Sequence, residues 1–243
     1  NKPVLLGSHL NRLALGAQRL QISLNLEHLE QELEQLALEY PAQGVLKILV
    51  TRGTGGRGYR PPAEADTTRL LTLHPLPDYA GTDKGINVFV CNQRLARQPS
   101  LAGIKHLNRL EQVMASLEWP GAEFHEGLML DTSDFVVEGT RSNIFWGEKD
   151  KLFTPALDKC GVEGVMRNYL LEKIPEAEPI ENCTLDRLMD AEEIFFCNSI
   201  FGIWPVLKIK TDTGMFSLET NTNTPGFTRK AKDIFAHLLE SAG

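Results

Sequence analysis

Cysteine is scarce in this 243-residue chain, and its four thiols are scattered. Cys91, Cys160, Cys183 and Cys197 form no C-x-x-C pair and no zinc-like spacing, so no zinc ribbon or dithiol redox motif is written here. They read as reduced thiols, which fits a cytoplasmic protein. Positive charge is also in deficit: 25 Lys and Arg against 32 Asp and Glu leave a net charge of −7, which argues against a general nucleic-acid partner. Long apolar runs are missing as well. The densest stretch, 194–207, is broken by Asn198, Ser199, Gly202 and Pro205, so no membrane span is expected. The first residue is Asn1 rather than Met, and no basic segment followed by an apolar one marks a secretory leader.

What is present is ordinary globular material, 42% hydrophobic and 23% charged, enough for one large domain or two modest ones. Ser8 is a candidate cap for a first helix carrying Leu10, Leu13, Ala14 and Ala17. Leu26, Leu29, Leu33, Leu36 and Ala37 form the apolar stripe of a second helix, expected to stop at Tyr40-Pro41. Strand-like runs follow at 45–51, 69–76 and 86–91. The polar, proline-containing stretch 93–100 reads as a connection between a small domain, 1–92, and a larger one, 101–243. In the larger part, Leu107, Leu110, Met114 and Leu117 stand at helical spacing. Short strands at 126–130, 135–138, 143–146 and 151–154 then read as a β-meander. Helices are expected at 165–174, 184–191 and 227–239 around strands at 193–197 and 203–210. The class is α+β in two domains.

Several motifs tempt and fail. Gly53-Thr54-Gly55-Gly56-Arg57-Gly58 matches G-x-G-x-x-G after a strand, but Tyr59-Arg60-Pro61-Pro62 follow and no helix can open there, so the dinucleotide reading falls. No Lys-Ser/Thr follows for a P-loop either. The segment reads as a glycine loop between strands, with Arg52, Arg57 and Tyr59 able to meet an anion. His125-Glu126 lacks the second histidine of a zinc protease, since Met129 stands where it belongs. No metal site is expected. His106 alone reads as structural or solvated.

Other residues stay open when read singly. Lys105, between Ile104 and Leu107, is either a desolvated amine suited to covalent capture of a carbonyl or a surface lysine at a domain edge. Glu138 either faces a basic ring nitrogen or is an exposed turn acid. Gly161–Arg167 is a glycine loop opening a helix, whose free N–H groups suit an anion.

Taken in order, Ile104-Lys105-His106-Leu107-Asn108-Arg109-Leu110, Glu138 through Ser142-Asn143-Ile144-Phe145, and Gly161–Arg167 resemble the fold-type IV pyridoxal phosphate enzymes. That group includes branched-chain and D-amino acid aminotransferases and the 4-amino-4-deoxychorismate lyases. The residues after Lys105 and the 52–59 loop are most similar to the lyase branch. The resemblance implies a small N-terminal α/β domain, a larger domain with a mainly β core, bound pyridoxal 5'-phosphate and a homodimer. It also implies further residues ahead of the position matching Asn1, forming the first strands of the small domain and including a threonine. By the same resemblance Lys105 is the cofactor lysine and Glu138 the partner of the pyridine nitrogen. Arg12, Val165, Met166 and Ser199 would hold the phosphate, the middle two through backbone N–H groups. Arg57, Tyr59, Arg97 and Arg109 are the groups expected to meet substrate carboxylates. The implied activity is a lyase of folate biosynthesis that releases 4-aminobenzoate and pyruvate; the alternative is an aminotransferase for D-amino or branched-chain amino acids.

Overall fold

The structure is a computed structural model that describes residues 3–40, 43–218 and 226–242. It divides into two units, Asn1–Asp78 and Tyr79–Gly243. The smaller contains helices α1 (Leu6–Arg19) and α2 (Leu26–Glu39) and the antiparallel strands β1 (Val45–Thr51) and β2 (Thr68–His74). Leu10, Leu29 and Leu33 are buried together, with Leu46, Ile48 and Leu71 of the strands packed against them. An Arg69–Glu32 pair ties β2 to α2 through two bonds of 2.8 and 2.7 Å. Helix α2 is capped by Asn25, whose side chain accepts from the His28 N–H. It ends at Glu39; Pro41, on which that boundary was read, lies outside the described residues. Ser8 does not cap α1. Leu5, in a left-handed conformation with φ 52°, precedes the helix, and Ser8 lies within its first turn.

The larger unit is built on a nine-stranded sheet among the described residues, ordered β5-β4-β3-β10-β9-β6-β7-β8 with β11 on β10. Its strands are β3 (Ile86–Leu95), β4 (Glu126–Asp131), β5 (Val136–Gly139), β6 (Asn143–Glu148), β7 (Lys151–Pro155), β8 (Ala177–Ile180), β9 (Glu193–Asn198), β10 (Gly202–Thr211) and β11 (Gly214–Ser217). Helices α3 (Leu110–Ser116), α4 (Val165–Lys173), α5 (Leu185–Met189) and α6 (Phe227–Ala242) accompany them. Strand alternation sends neighbours to different cores: Val88, Leu128 and Leu130 join one cluster with Trp146 and Trp204, while Phe89, Cys91 and Met129 join another with Phe124 and Leu157. No described helix is long and apolar enough to cross a membrane.

Two expectations need correction. The 126–154 strands form two hairpins, β4-β5 and β6-β7, and not one meander; β6 pairs with β9 instead of β5. A run of short strands is compatible with either pairing, because local pattern does not name the partner. The connection expected at 93–100 begins inside β3, which pairs with β4 and β10 of the larger unit, so residues 79–92 belong there. Its polar end looked like a linker because its hydrogen bonds go to a distant acid: Glu118 accepts from the Asn92 and Gln93 N–H groups. The stripe on α3, whose orientation its spacing leaves open, faces outward. Leu110, Met114 and Leu117 are 66, 46 and 75% exposed, with Leu107 and Val113 beside them. The polar residues of the segment do the gripping, Glu111 taking the Ala96 N–H at 2.8 Å and Glu118 the end of β3.

Candidate active site

Glu138 lies on β5, a strand buried along its whole length. Its Oε2 accepts the Val162 N–H at 2.8 Å. Burial pushes this carboxyl up to about 7 against the pull of the Val162 N–H, the Arg109 and Lys105 charges and the Gln112 amide. A carboxyl poised there holds or gives up a proton near neutrality. Position 161 has to be glycine on two counts: its φ is +84°, and a Cβ would meet Leu157 at 2.8 Å and Val137 at 2.9 Å.

The loop after Gly161 is bonded to the one that presents Lys105. Gly103 donates to the Gly161 carbonyl at 3.0 Å and accepts from the Glu163 N–H at 3.1 Å. Asn143 Nδ2 donates to the Val162 carbonyl at 2.8 Å, and a Cβ at Gly164 would lie 2.0 Å from Asn143 Oδ1. Lys105 is exposed, follows buried Ile104, and is close enough to Glu138 for its charge to act on that carboxyl. The side chain is exposed, with a buried acid within reach of its charge.

Helix α4 starts directly after this loop, with Gly164 preceding it and no side-chain cap on its N-terminus. Val165 and Met166 open the helix with buried side chains, which leaves their backbone N–H groups as the available donors. Arg167 is buried beside them, its guanidinium on the Pro155 carbonyl at 2.9 Å, Asn168 Oδ1 at 3.1 Å and Thr154 Oγ1 at 3.3 Å. Ser199 sits in the β9–β10 turn, whose shape comes from Asn198: its Oδ1 accepts the Ile200 and Phe201 N–H groups, both at 2.8 Å. Asn198 also reaches the Arg141 carbonyl at 3.3 Å, joining that turn to the segment after Glu138.

The remaining expected residues are placed differently. Arg12, Arg57 and Tyr59 belong to the smaller unit. Arg12 contacts His9 Nδ1 at 3.4 Å, and Arg57 and Tyr59 are exposed on the glycine loop, which opens no helix. Arg52, also considered for an anion, is spent on the backbone, donating to the Gln21 carbonyl at 2.6 Å and to the Leu20 carbonyl. Arg97 is held by Asp131 at 3.5 Å and Ser133 at 2.9 Å. Arg109 donates to the Ile104 and His106 carbonyls at 2.6 and 3.1 Å, so its donors serve the lysine loop. No cluster of three metal-ligating side chains occurs among the described residues.

One buried residue was passed over in the sequence. Glu126, dismissed with the zinc motif, is fully buried and accepts the Gly127 and Thr140 N–H groups at 3.0 Å, the Thr140 hydroxyl at 2.5 Å and the Ser142 hydroxyl at 2.7 Å. It organises the turn between Glu138 and Asn143. The signal available was an acid in an otherwise apolar strand, with two hydroxyl residues spaced two apart in the next turn.

The architecture has solved counterparts. The 4-amino-4-deoxychorismate lyase of Pseudomonas aeruginosa superposes with a TM-score of 0.86 and 44% identity, covering 96% of this chain and 85% of that one. The Escherichia coli branched-chain amino acid aminotransferase matches in fold at 20% identity and a TM-score of 0.79, over 95% of this chain and 78% of that one. In sequence, aminodeoxychorismate lyase of Vibrio harveyi is 40% identical over 166 residues, 66% of this chain and 61% of that protein's length. A putative branched-chain-amino-acid aminotransferase of Methanocaldococcus jannaschii is 31% identical over 98% of this chain and 83% of its own. The family model for amino-transferase class IV matches residues 1–209. With the fold, the relatives and the family model in agreement, the chain belongs to the amino-transferase class IV family.

Proposed function

We propose that the chain is a pyridoxal phosphate-dependent lyase of folate biosynthesis, converting 4-amino-4-deoxychorismate to 4-aminobenzoate and pyruvate. The observation that carries this reading is the 44% identity to the Pseudomonas lyase across 96% of the chain. The residues present fit the cofactor: an exposed lysine amine whose charge reaches a buried carboxyl poised near neutrality, a glycine-lined loop, and a helix start without a side-chain cap. Lys105 would take the cofactor's aldehyde and Glu138 its ring nitrogen. Val165, Met166 and Ser199 would hold its phosphate. Pyridoxal phosphate supplies an electron sink for the carbon next to the bound nitrogen. Lys105, once free, is the base for the proton on that carbon, and its protonated form is the acid at hand for the departing enolpyruvyl oxygen. Aromatisation of the product ring makes the elimination downhill, so proton handling is the chain's main task.

The assay is fluorescence of 4-aminobenzoate released from enzymatically generated substrate with no 2-oxo acid added. Release at a rate of about 1 per second or faster, within the range of ordinary enzymes, is expected. The aminotransferase reading rests on the Methanocaldococcus relative; transfer of the amino group of D-alanine or a branched-chain amino acid, without 4-aminobenzoate release, would replace the lyase reading.

The same proposal includes a homodimer and a cytoplasmic setting. The outward stripe Leu107, Leu110, Val113, Met114 and Leu117 supports the first, since a large apolar patch rimmed by polar residues marks an interface. Four buried free cysteines support the second. Light scattering is expected to give twice the chain mass. Leu117→Glu, at a site 75% exposed, is expected to shift the protein to single chains at micromolar concentration while leaving each chain folded. A wild-type protein that runs as one chain overturns the dimer.

A further inference from the structure

The residues on either side of Lys105 lie outside helix and strand; just before them Gly103 is bonded to the 161–163 loop and the Ile104 N–H to the Leu101 carbonyl. Past Gly103 the chain runs through Lys105 outside any strand. Arg109, the residue just before α3, adds a hold on both sides of the lysine. Its Nη2 donates to the Ile104 carbonyl at 2.6 Å and its Nε to the His106 carbonyl at 3.1 Å. Nε and Nη2 form one edge of the planar guanidinium, so a single rigid fork takes the carbonyls immediately before and after the lysine. The charge it carries is placed as well: Arg109 and Lys105 both act on Glu138, and Gln112, one turn along, turns its amide to the same carboxyl.

We propose that Arg109 is a positioning residue that straddles Lys105 and sets the direction in which the amine leaves the loop toward Glu138. This rests on the reading that Lys105 is the amine that captures the cofactor. A lysine at position 109 keeps the charge and loses the fork, because an ammonium cannot hold two carbonyls in one plane. A glutamine loses the charge as well. The two substitutions therefore separate geometry from electrostatics.

The test uses the full chain in wild-type form and as Arg109→Lys and Arg109→Gln. Amide hydrogen exchange of the peptide containing residues 103–107, without cofactor, is expected to quicken about tenfold or more in both variants, while β3, β4 and β5 keep their protection. Borohydride reduction after addition of pyridoxal phosphate is expected to attach the phosphopyridoxyl group to Lys105 in the wild type. In Arg109→Lys the initial rate of attachment should fall about tenfold, with kcat reduced and KM nearly unchanged. Unchanged exchange at 103–107 in both variants overturns the proposal, whatever the labelling shows. Faster exchange spread evenly over the sheet also overturns it, since that marks a general loss of stability. Labelling of the wild type elsewhere than Lys105 sinks the reading of the cofactor lysine instead, and the exchange result then stands as a test of the loop alone.

Discussion

A Lys105→Ala chain treated with pyridoxal phosphate and borohydride carries no phosphopyridoxyl group at position 105, and its release of 4-aminobenzoate falls by about four orders of magnitude or more. In the proposed reading this amine both captures the cofactor and moves the proton, so its loss removes two functions at once and the expected effect exceeds that of losing a single acid–base group. The fold gives the variant a clean interpretation. Lys105 is exposed and sits in a loop, so truncating it opens no cavity, and melting is expected to stay within about a degree or two of the wild type. The buried neighbour Ile104 keeps its place. Retained labelling with the same stoichiometry at another lysine, together with retained 4-aminobenzoate release, would remove Lys105 from the reaction.

Glu138→Gln gives the second large effect, and it is one of stability against pH. Burial raises this carboxyl from 4.5 to about 7. Between those values the folded chain keeps a proton that the unfolded chain has released, so stability contributed by this group is full below about pH 4.5 and is lost as pH rises to about 7. At pH 8 the ionised, buried Glu138 costs the fold about 3 kcal/mol by the usual 1.36 kcal/mol per pKa unit. Glutamine removes that cost and still accepts the Val162 N–H. Without cofactor, the variant should therefore melt several degrees above the wild type at pH 8, and the difference should shrink below pH 7 and vanish by about pH 4. This is opposite to a carboxylate held down by a salt bridge. A difference that grows toward low pH would mean that the Arg109 and Lys105 charges outweigh burial.

Element type was legible because it is local. The β-branched and apolar run at 45–51 is strand β1 residue for residue, and the stripe on α2 buries Leu29 and Leu33. The 53–58 glycines were separated from a dinucleotide loop by the prolines that follow, and the chain indeed opens no helix there. The pair Lys105 and Glu138 was legible only as a resemblance. Nothing in the composition or spacing distinguished Glu138 from an exposed turn acid, since its burial comes from β5 being covered along its length.

What local pattern left open has a common cause. Periodicity on the 107–117 segment announces a stripe, but a stripe does not say on which side its partner lies; Glu111, Gln112 and Glu118 turned inward because the end of β3, the Ala96 N–H and Glu138 needed bonds there. Short strands at 126–154 announced two hairpins' worth of residues, and long-range pairing gave β6 to β9. Arg109 was expected at a substrate carboxylate because its charge is visible in the sequence, whereas the carbonyls that take up its donors are not. Spacing and residue type thus specified helices and strands, and the resemblance of ordered motifs pointed to the family. Pairing order, the inward face of each helix and the partner of each charge came from packing, because those depend on groups far apart in the chain that meet only when backbone hydrogen bonds and buried charges must all be satisfied together.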